Sequence, residues 1–224
     1  MNLFRVGFVV LVSVSFILLR VYSIARVGGT SHWEGRKSFT TEGSHPALLV
    51  WSFVAIVFFV ALMTARGTEV VVGFPSFGKR AVAFCLDFWF SVLTISSIGS
   101  LVPLWIEARR AGHFSWYFER NYIVPTDATV GIPLVFADMA LIFLYFAFPL
   151  TRGRQTVGCF ILGLKVTPPF GDRGAFTFRE AVRRTWSEFK GLCSFSSIGR
   201  NRDAQGRTWY DQQTNCTVVS IKYE

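Results

Sequence analysis

The stretch FGKRAVAFCLDFWFSV, residues 77 to 92, decides the class of fold, because it sets a carboxylate into an apolar run just inside a Lys-Arg pair. An α-helix rises about 1.5 Å per residue, so with Lys79 and Arg80 at a membrane surface Asp87 lies roughly 10 Å deeper, inside the hydrocarbon. A central Asp costs about 2.5 to 3.5 kcal/mol on insertion scales, and each Leu, Ile, Phe or Val returns about 0.3 to 0.6, so several apolar neighbours offset one acid. Arg80 and Asp87 are two helical turns apart and share a face. An ionisable residue inside a span is a functional candidate, since in cation/proton exchangers a carboxylate alternates between holding a proton and holding the cation.

Composition agrees with a membrane setting. The 224 residues are 51% hydrophobic, 17% aromatic and 17% charged, with a mean hydropathy of +0.41. That is too apolar for an ordinary soluble domain and too charged to lie wholly in a bilayer, so the expectation is one membrane unit with a substantial polar tail. The net charge of +9 sits mainly at the ends of apolar stretches and in the tail, which membrane topology explains without nucleic acid. The four cysteines, Cys85, Cys159, Cys193 and Cys216, show no paired metal-ligand spacing and read as reduced.

Outward from the opening stretch, the chain reads as an all-α membrane protein of about four spans. The first run, Val6 to Leu19, is short for a span and has small residues, Ser23 and Ala25, at a signal-cleavage spacing. Arg20 and Arg26 favour an uncleaved first span whose Arg stems snorkel to the surface. Residues 26 to 46 read as an extracytoplasmic polar loop. Its His32, Glu34, Glu42 and His45 show no helical or strand period to fix a metal geometry, so no metal or other cofactor is assigned. The second span, Ala47 to Ala65, has no charge. The third carries Asp87 to about Trp105, with Gly99 and Pro103 loosening its far end. A loop from Ile106 to Thr129 follows, with Trp116, Tyr117, Phe118 and Tyr122 as headgroup-level anchors. The fourth span, Val130 to Leu150, carries a second acid, Asp138.

Counting basic residues gives the orientation. The tail after Leu150 holds twelve Lys and Arg against six acids, and the connection from Arg66 to Arg80 holds three against one. Both are expected to be cytoplasmic, which places both termini inside, at the plasma (inner) membrane. Within the tail, TVGCFILGLKV at 156 to 166 is too short to cross a bilayer. Thr177 and Glu180 form a capping box for a helix in which Phe178, Val182, Trp186 and Phe189 recur at helical spacing. Arg179, Arg183, Arg184 and Lys190 on that amphipathic helix suit anionic lipid or a protein partner at the interface.

These residues carry a family resemblance. Arg80, Ala83 and Asp87, the GRQTVGCFILGLKV at 153 to 166, Gly174 with Arg183, and the GRTWYDQQTNCTVV at 206 to 219 resemble the RDD family of small membrane proteins. By position, the Arg and two Asp residues that name the family match Arg80, Asp87 and Asp211, and Thr156 and Gly158 match its TxG motif. Cys159 stands where the family usually has Lys. The resemblance covers about residues 74 to 220 and divides the chain into an N-terminal pair of spans, 1–73, and an RDD-like part, 74–224. It implies a core of two or three spans and a role in transport, with sodium/proton antiport proposed for some members.

Asp87 and Asp138 are the ion-coupling candidates. Straight helices place them about 10 and 18 Å from the inner surface, too far apart in depth for a direct hydrogen bond. A salt bridge from Asp87 to Arg80 or Arg183 and a protonated, hydrogen-bonded Asp138 are the plain alternatives. The function expected is therefore transport-related, with cation/proton exchange through these carboxylates. Four spans are few for a complete alternating-access machine, which points to a homo-oligomer. A membrane scaffold or assembly factor recruiting partners through its basic tail is the other reading. No nucleophile and base pair, metal cluster or phosphate loop suggests an enzyme.

Overall fold

The apolar runs form helices whose ends fall at glycines, prolines and charges. The computed structural model describes residues 3–21, 30–34, 37–43, 46–64, 69–122, 128–168, 174–193, 203 and 207–223. In chain order these are α1 (Leu3–Val21), β1 (Thr30–Glu34), β2 (Lys37–Gly43), α2 (Pro46–Thr64), β3 (Glu69–Gly73), α3 (Phe77–Gly99) and α4 (Leu101–Ala111). They continue with β4 (Tyr117–Tyr122), α5 (Ala128–Thr151), α6 (Val157–Ile161), β5 (Leu164–Thr167), α7 (Phe178–Cys193), α8 (Trp209–Gln213) and β6 (Thr217–Tyr223).

Among the described residues, three helices are long and apolar enough to cross a membrane: Pro46–Thr64, the α3–α4 run Phe77–Ala111, and Ile132–Thr151. α1 is a fourth helix of 19 residues. The third run is longer than expected, because helix continues through residues read as loop from Ile106 and stops at left-handed Gly112. Pro103 has no N–H to give the Gly99 carbonyl, which loosens this segment. Bonds from Ser100 N to Ser96 O (2.9 Å) and from Leu104 N to Ser100 O (3.4 Å) still carry the helix across.

The fold is mostly helical rather than all-α, because two three-stranded antiparallel sheets join the helices. The first, in order β1-β2-β4, occupies much of the two stretches read as loops at 26–46 and 106–129. Its ladder runs from Thr30↔Thr41 to Glu34↔Lys37 and from Ser38↔Tyr122 to Gly43↔Tyr117. These short polar strands have no apolar alternation, so main-chain pairing leaves no sequence period to read. Their side chains, including His32, Glu34, Glu42, Tyr117, Phe118 and Tyr122, and the whole of His45, lie outside the described set. The second sheet, in order β3-β6-β5, takes strands from both sides of the spans and places β6 in its centre. Lys165 of β5 forms an ion pair with Glu69 of β3.

By contacts the chain forms two compact units that interleave in sequence: 1–8, 59–90 and 142–224 in one, 9–58 and 91–141 in the other. In the second, Trp51 Nε1 donates to the Leu11 carbonyl at 2.9 Å and ties α2 to α1, and α4 packs on β2 and β4. In the first, Ala147 and Leu150 of α5 pack with Phe176, Ala181 and Cys216, while Ala83 of α3 packs with Leu164 and Val218 of the sheet. α7 is capped as its sequence indicates. Thr177 N donates to Glu180 Oε2 at 2.8 Å, and Glu180 N donates back to Thr177 Oγ1 at 3.4 Å.

After α5 the chain turns back on itself at Gly153. This glycine has φ +63°, and a Cβ there would overlap the Gly174 carbonyl oxygen. Gly112 has φ +73° with open space around it. Both positions strain an alanine by about 1 kcal/mol, but only Gly153 adds a backbone clash. Thermal unfolding in detergent should therefore show Gly153→Ala lowering the Tm well beyond Gly112→Ala, and equal shifts would mean that the turn relaxes freely.

Candidate functional site

Asp87 sits on the face of α3 that buries Ala83, Asp87, Phe90, Ser91, Thr94 and Ser97, with its side chain 1% exposed. Three groups donate to it. Tyr145 Oη and Gly158 N reach Oδ1 at 2.7 Å each, and Thr156 Oγ1 reaches Oδ2 at 2.6 Å. Tyr145 Oη also accepts from Val157 N at 3.1 Å. One carboxylate thus clips the Thr156-Val157-Gly158 segment and the start of α6 onto α3 and α5. Glycine is needed at 158, because a Cβ there would meet the Ala83 carbonyl and lie 2.9 Å from Asp87 Oδ2.

The second carboxylate, Asp211, is the N3 residue of a capping box on α8. Thr208 N and Oγ1 donate to its Oδ2 at 3.0 and 2.8 Å. Arg80 Nη2 donates to the same oxygen, and Arg184 Nη2 lies 2.9 Å from Oδ1. The Tyr210 ring lies beside both guanidiniums, 4.6 Å from Arg184 and 5.9 Å from Arg80. Burial works against the Asp211 charge, but the guanidiniums of Arg184 and Arg80 win and hold its carboxyl below the usual carboxylate range. Burial pushes the Tyr210 hydroxyl up, and it pushes the Cys216 thiol up against the pull of Arg184. Cys159 is pushed up by burial and then by the Asp87 carboxylate, so it is a neutral thiol.

Residues 74–211 match the model of the RDD family. The chain belongs to the RDD family. That match spans well over half of its length, and no curated protein and no solved structure matches it. Of the residues matched by position to the family's motifs in the sequence, Arg80, Asp87, Asp211, Thr156 and Gly158 form two adjoining clusters along α3. The salt bridge open to Arg80 goes to Asp211, while Asp87 takes neutral donors instead.

Arg183 does not join them. It is exposed on α7, and its neighbour Arg184, weighed from sequence only as a lipid or partner contact, is 1% exposed and ion-paired to Asp211. Arg179 and Lys190 are exposed. Tyr145, Thr208, Tyr210 and Glu188 were not singled out from sequence. Thr208 three residues before Asp211 is a capping-box spacing that could have been read, whereas Tyr145 has no such signal. Asp138 belongs to the second unit and is partly buried, with no hydrogen bond or ion pair among the described residues. Its carboxyl lies against Gly99, where a Cβ would stand 2.9 Å from Oδ1, so the glycine makes room for it.

Between the two clusters lies a cavity of about 50 Å³ walled by residues including Arg80, Asp87, Thr156, Arg154, Arg184 and Glu188.

Asp211→Asn leaves two buried guanidiniums short of their counter-charge, which costs about 3 to 5 kcal/mol. Because the folded-state pKa of Asp211 is depressed, its stabilisation is complete above the unfolded value of about 3.9 and is lost as pH falls through the folded value. Denaturation followed against pH should show the wild type losing stability below about pH 4, with Asp211→Asn weaker at neutral pH and flatter in acid. A variant as stable as wild type at pH 7 would remove Asp211 from the core.

Proposed function

We propose that this RDD protein is a transport-related membrane component in which Asp87 carries the proton of a cation/proton exchange. The observation that supports it most is the make-up of the Asp87 shell. Two of its three donors are hydroxyls, and a hydroxyl both donates and accepts. If Oδ2 takes a proton, Thr156 has only to turn and accept, so Asp87 can gain or lose a proton without moving the backbone. Asp87 also stands on the wall of a cavity that charged side chains help to line, which gives its proton a way in and out. In this reading α1 is a fourth span, both termini face the cytoplasm, the protein resides in the plasma (inner) membrane, and copies of the chain associate. No catalytic chemistry is assigned.

The same shell makes Asp87→Asn an informative variant. The amide oxygen can keep the Tyr145 and Gly158 bonds at the Oδ1 position, and the amide nitrogen can donate to Thr156. Proton flux driven by sodium or lithium should appear in liposomes carrying the wild type and drop at least tenfold with a monodisperse Asp87→Asn. Full flux in the variant would remove Asp87 from the exchange.

A scaffold or assembly role has its own support. α7 exposes Phe178 and Trp186 at 61% and 65%, together with Arg179, Arg183 and Lys190. An exposed stripe of aromatic and basic side chains suits a surface of anionic headgroups or an acidic protein partner. If the wild type is well folded and shows no flux, this second reading takes precedence. It then predicts that Arg179→Glu with Arg183→Glu lowers binding to anionic-lipid vesicles about tenfold or more, from about 1 kcal/mol per basic residue.

A further inference from the structure

The cavity beside Asp87 has more donors to offer than acceptors. At about 50 Å³ it has room for a few waters or one small ion. Its charged lining residues are Arg80, Arg154 and Arg184 on one side of the balance and Asp87 and Glu188 on the other. Asp87 already accepts from Tyr145, Gly158 and Thr156, and Arg80 is engaged by Asp211. Arg184 is only partly engaged. Nη2 faces Asp211, while Nε and Nη1 have no hydrogen-bond partner among the described residues, although the side chain is 1% exposed. Nη1 stands 3.4 Å from Glu188 Oε2, near enough for attraction but without a hydrogen bond between them.

Arg154 adds to this excess. It lines the same cavity, and its side chain makes no hydrogen bond or ion pair among the described residues. A guanidinium has five N–H donors and no acceptor, so unfilled N–H groups on a buried arginine call for an incoming acceptor. A cation entering here would meet three guanidiniums against two carboxylates, of which Asp87 already accepts three hydrogen bonds. An anion would meet unfilled donors. We propose that the cavity binds a small inorganic anion of the halide class, held by Arg184 and Arg154, with Glu188 opposing it and limiting its affinity. This goes beyond the exchange reading and does not rest on it, because an anion site suits a transporter or a scaffold equally.

The probe is chloride, with the full-length protein in nanodiscs of zwitterionic lipid. Thermal unfolding is followed as chloride replaces gluconate at constant ionic strength, with sodium or choline as the cation. The expected result is a saturable rise in Tm that follows chloride and is the same with either cation. Arg154→Gln should raise the half-saturating chloride about tenfold, the scale of one charge-assisted hydrogen bond, and Glu188→Gln should lower it. Equal Tm values in chloride and gluconate would overturn the proposal. So would a rise that follows sodium instead of chloride, which would place a cation in the cavity. A chloride effect unchanged in both variants would put the anion elsewhere. If Arg154→Gln fails to fold, Glu188→Gln decides alone, since it removes a repulsion and leaves Arg154 in place. Chloride binding without proton flux leaves this proposal standing and removes only the exchange.

Discussion

Two arginines share one buried carboxylate, and much of the architecture follows from keeping that carboxylate in place. Arg80 enters from the first turn of α3, Arg184 from the middle of α7, and both end on Asp211 in the short helix α8. A buried charge stripped of its partners is among the most costly defects a fold can carry. The capping box of α8, the Tyr210 ring beside both guanidiniums and the strand that follows α8 therefore act together to hold one side chain. With Asp211 fixed, β6 is set between β3 and β5, and the polar tail becomes part of the membrane unit instead of a loose appendage.

Asp87 meets the same constraint by another route. Two turns along α3 from Arg80, it is satisfied without any cation, by two hydroxyls and one peptide N–H. The chemical difference matters. Asp211 is bound by charges and is held as a carboxylate, whereas the ligands of Asp87 can adapt to either protonation state. The one helix α3 thus holds a fixed acid of α8 through Arg80 and presents an adjustable acid of its own, Asp87.

How much of this could be read from the residues varies with the physics behind each element. Asp87 stood out because an acid in an apolar run is costly in lipid. Arg80 and Asp211 could be linked only through the family resemblance, since nothing local joins positions so far apart in the chain. Tyr145 lies in VGIPLVFADMALIFLYFAFPL with no neighbour to mark it, and only the fold brings its hydroxyl to Asp87. On α7 the two adjacent arginines point about 100° apart, and their order alone does not say which faces inward. The usual rule that polar residues face outward fails there, because the helix buries Arg184, Thr185 and Ser187 and exposes Phe178 and Trp186. The polar strands of the first sheet escaped notice because their sequences carry no regular alternation of apolar and polar residues.

The chain order of the second sheet has a consequence for how the protein is made. Its central strand, β6, is the last in sequence, so β3 and β5 have no neighbour in that sheet until β6 leaves the ribosome. Arg80 likewise waits for Asp211, which is 131 positions later. At about 5 to 20 residues per second, translation leaves that arginine without its carboxylate for roughly 7 to 26 seconds. During that interval the nascent protein holds helices of apolar sequence, an open strand edge and a cation with no mate. The sheet and the ion pair are therefore completed only after β6 and Asp211 have been made, and until then the chain exposes apolar surface and an unpaired strand edge of the kind that chaperones bind.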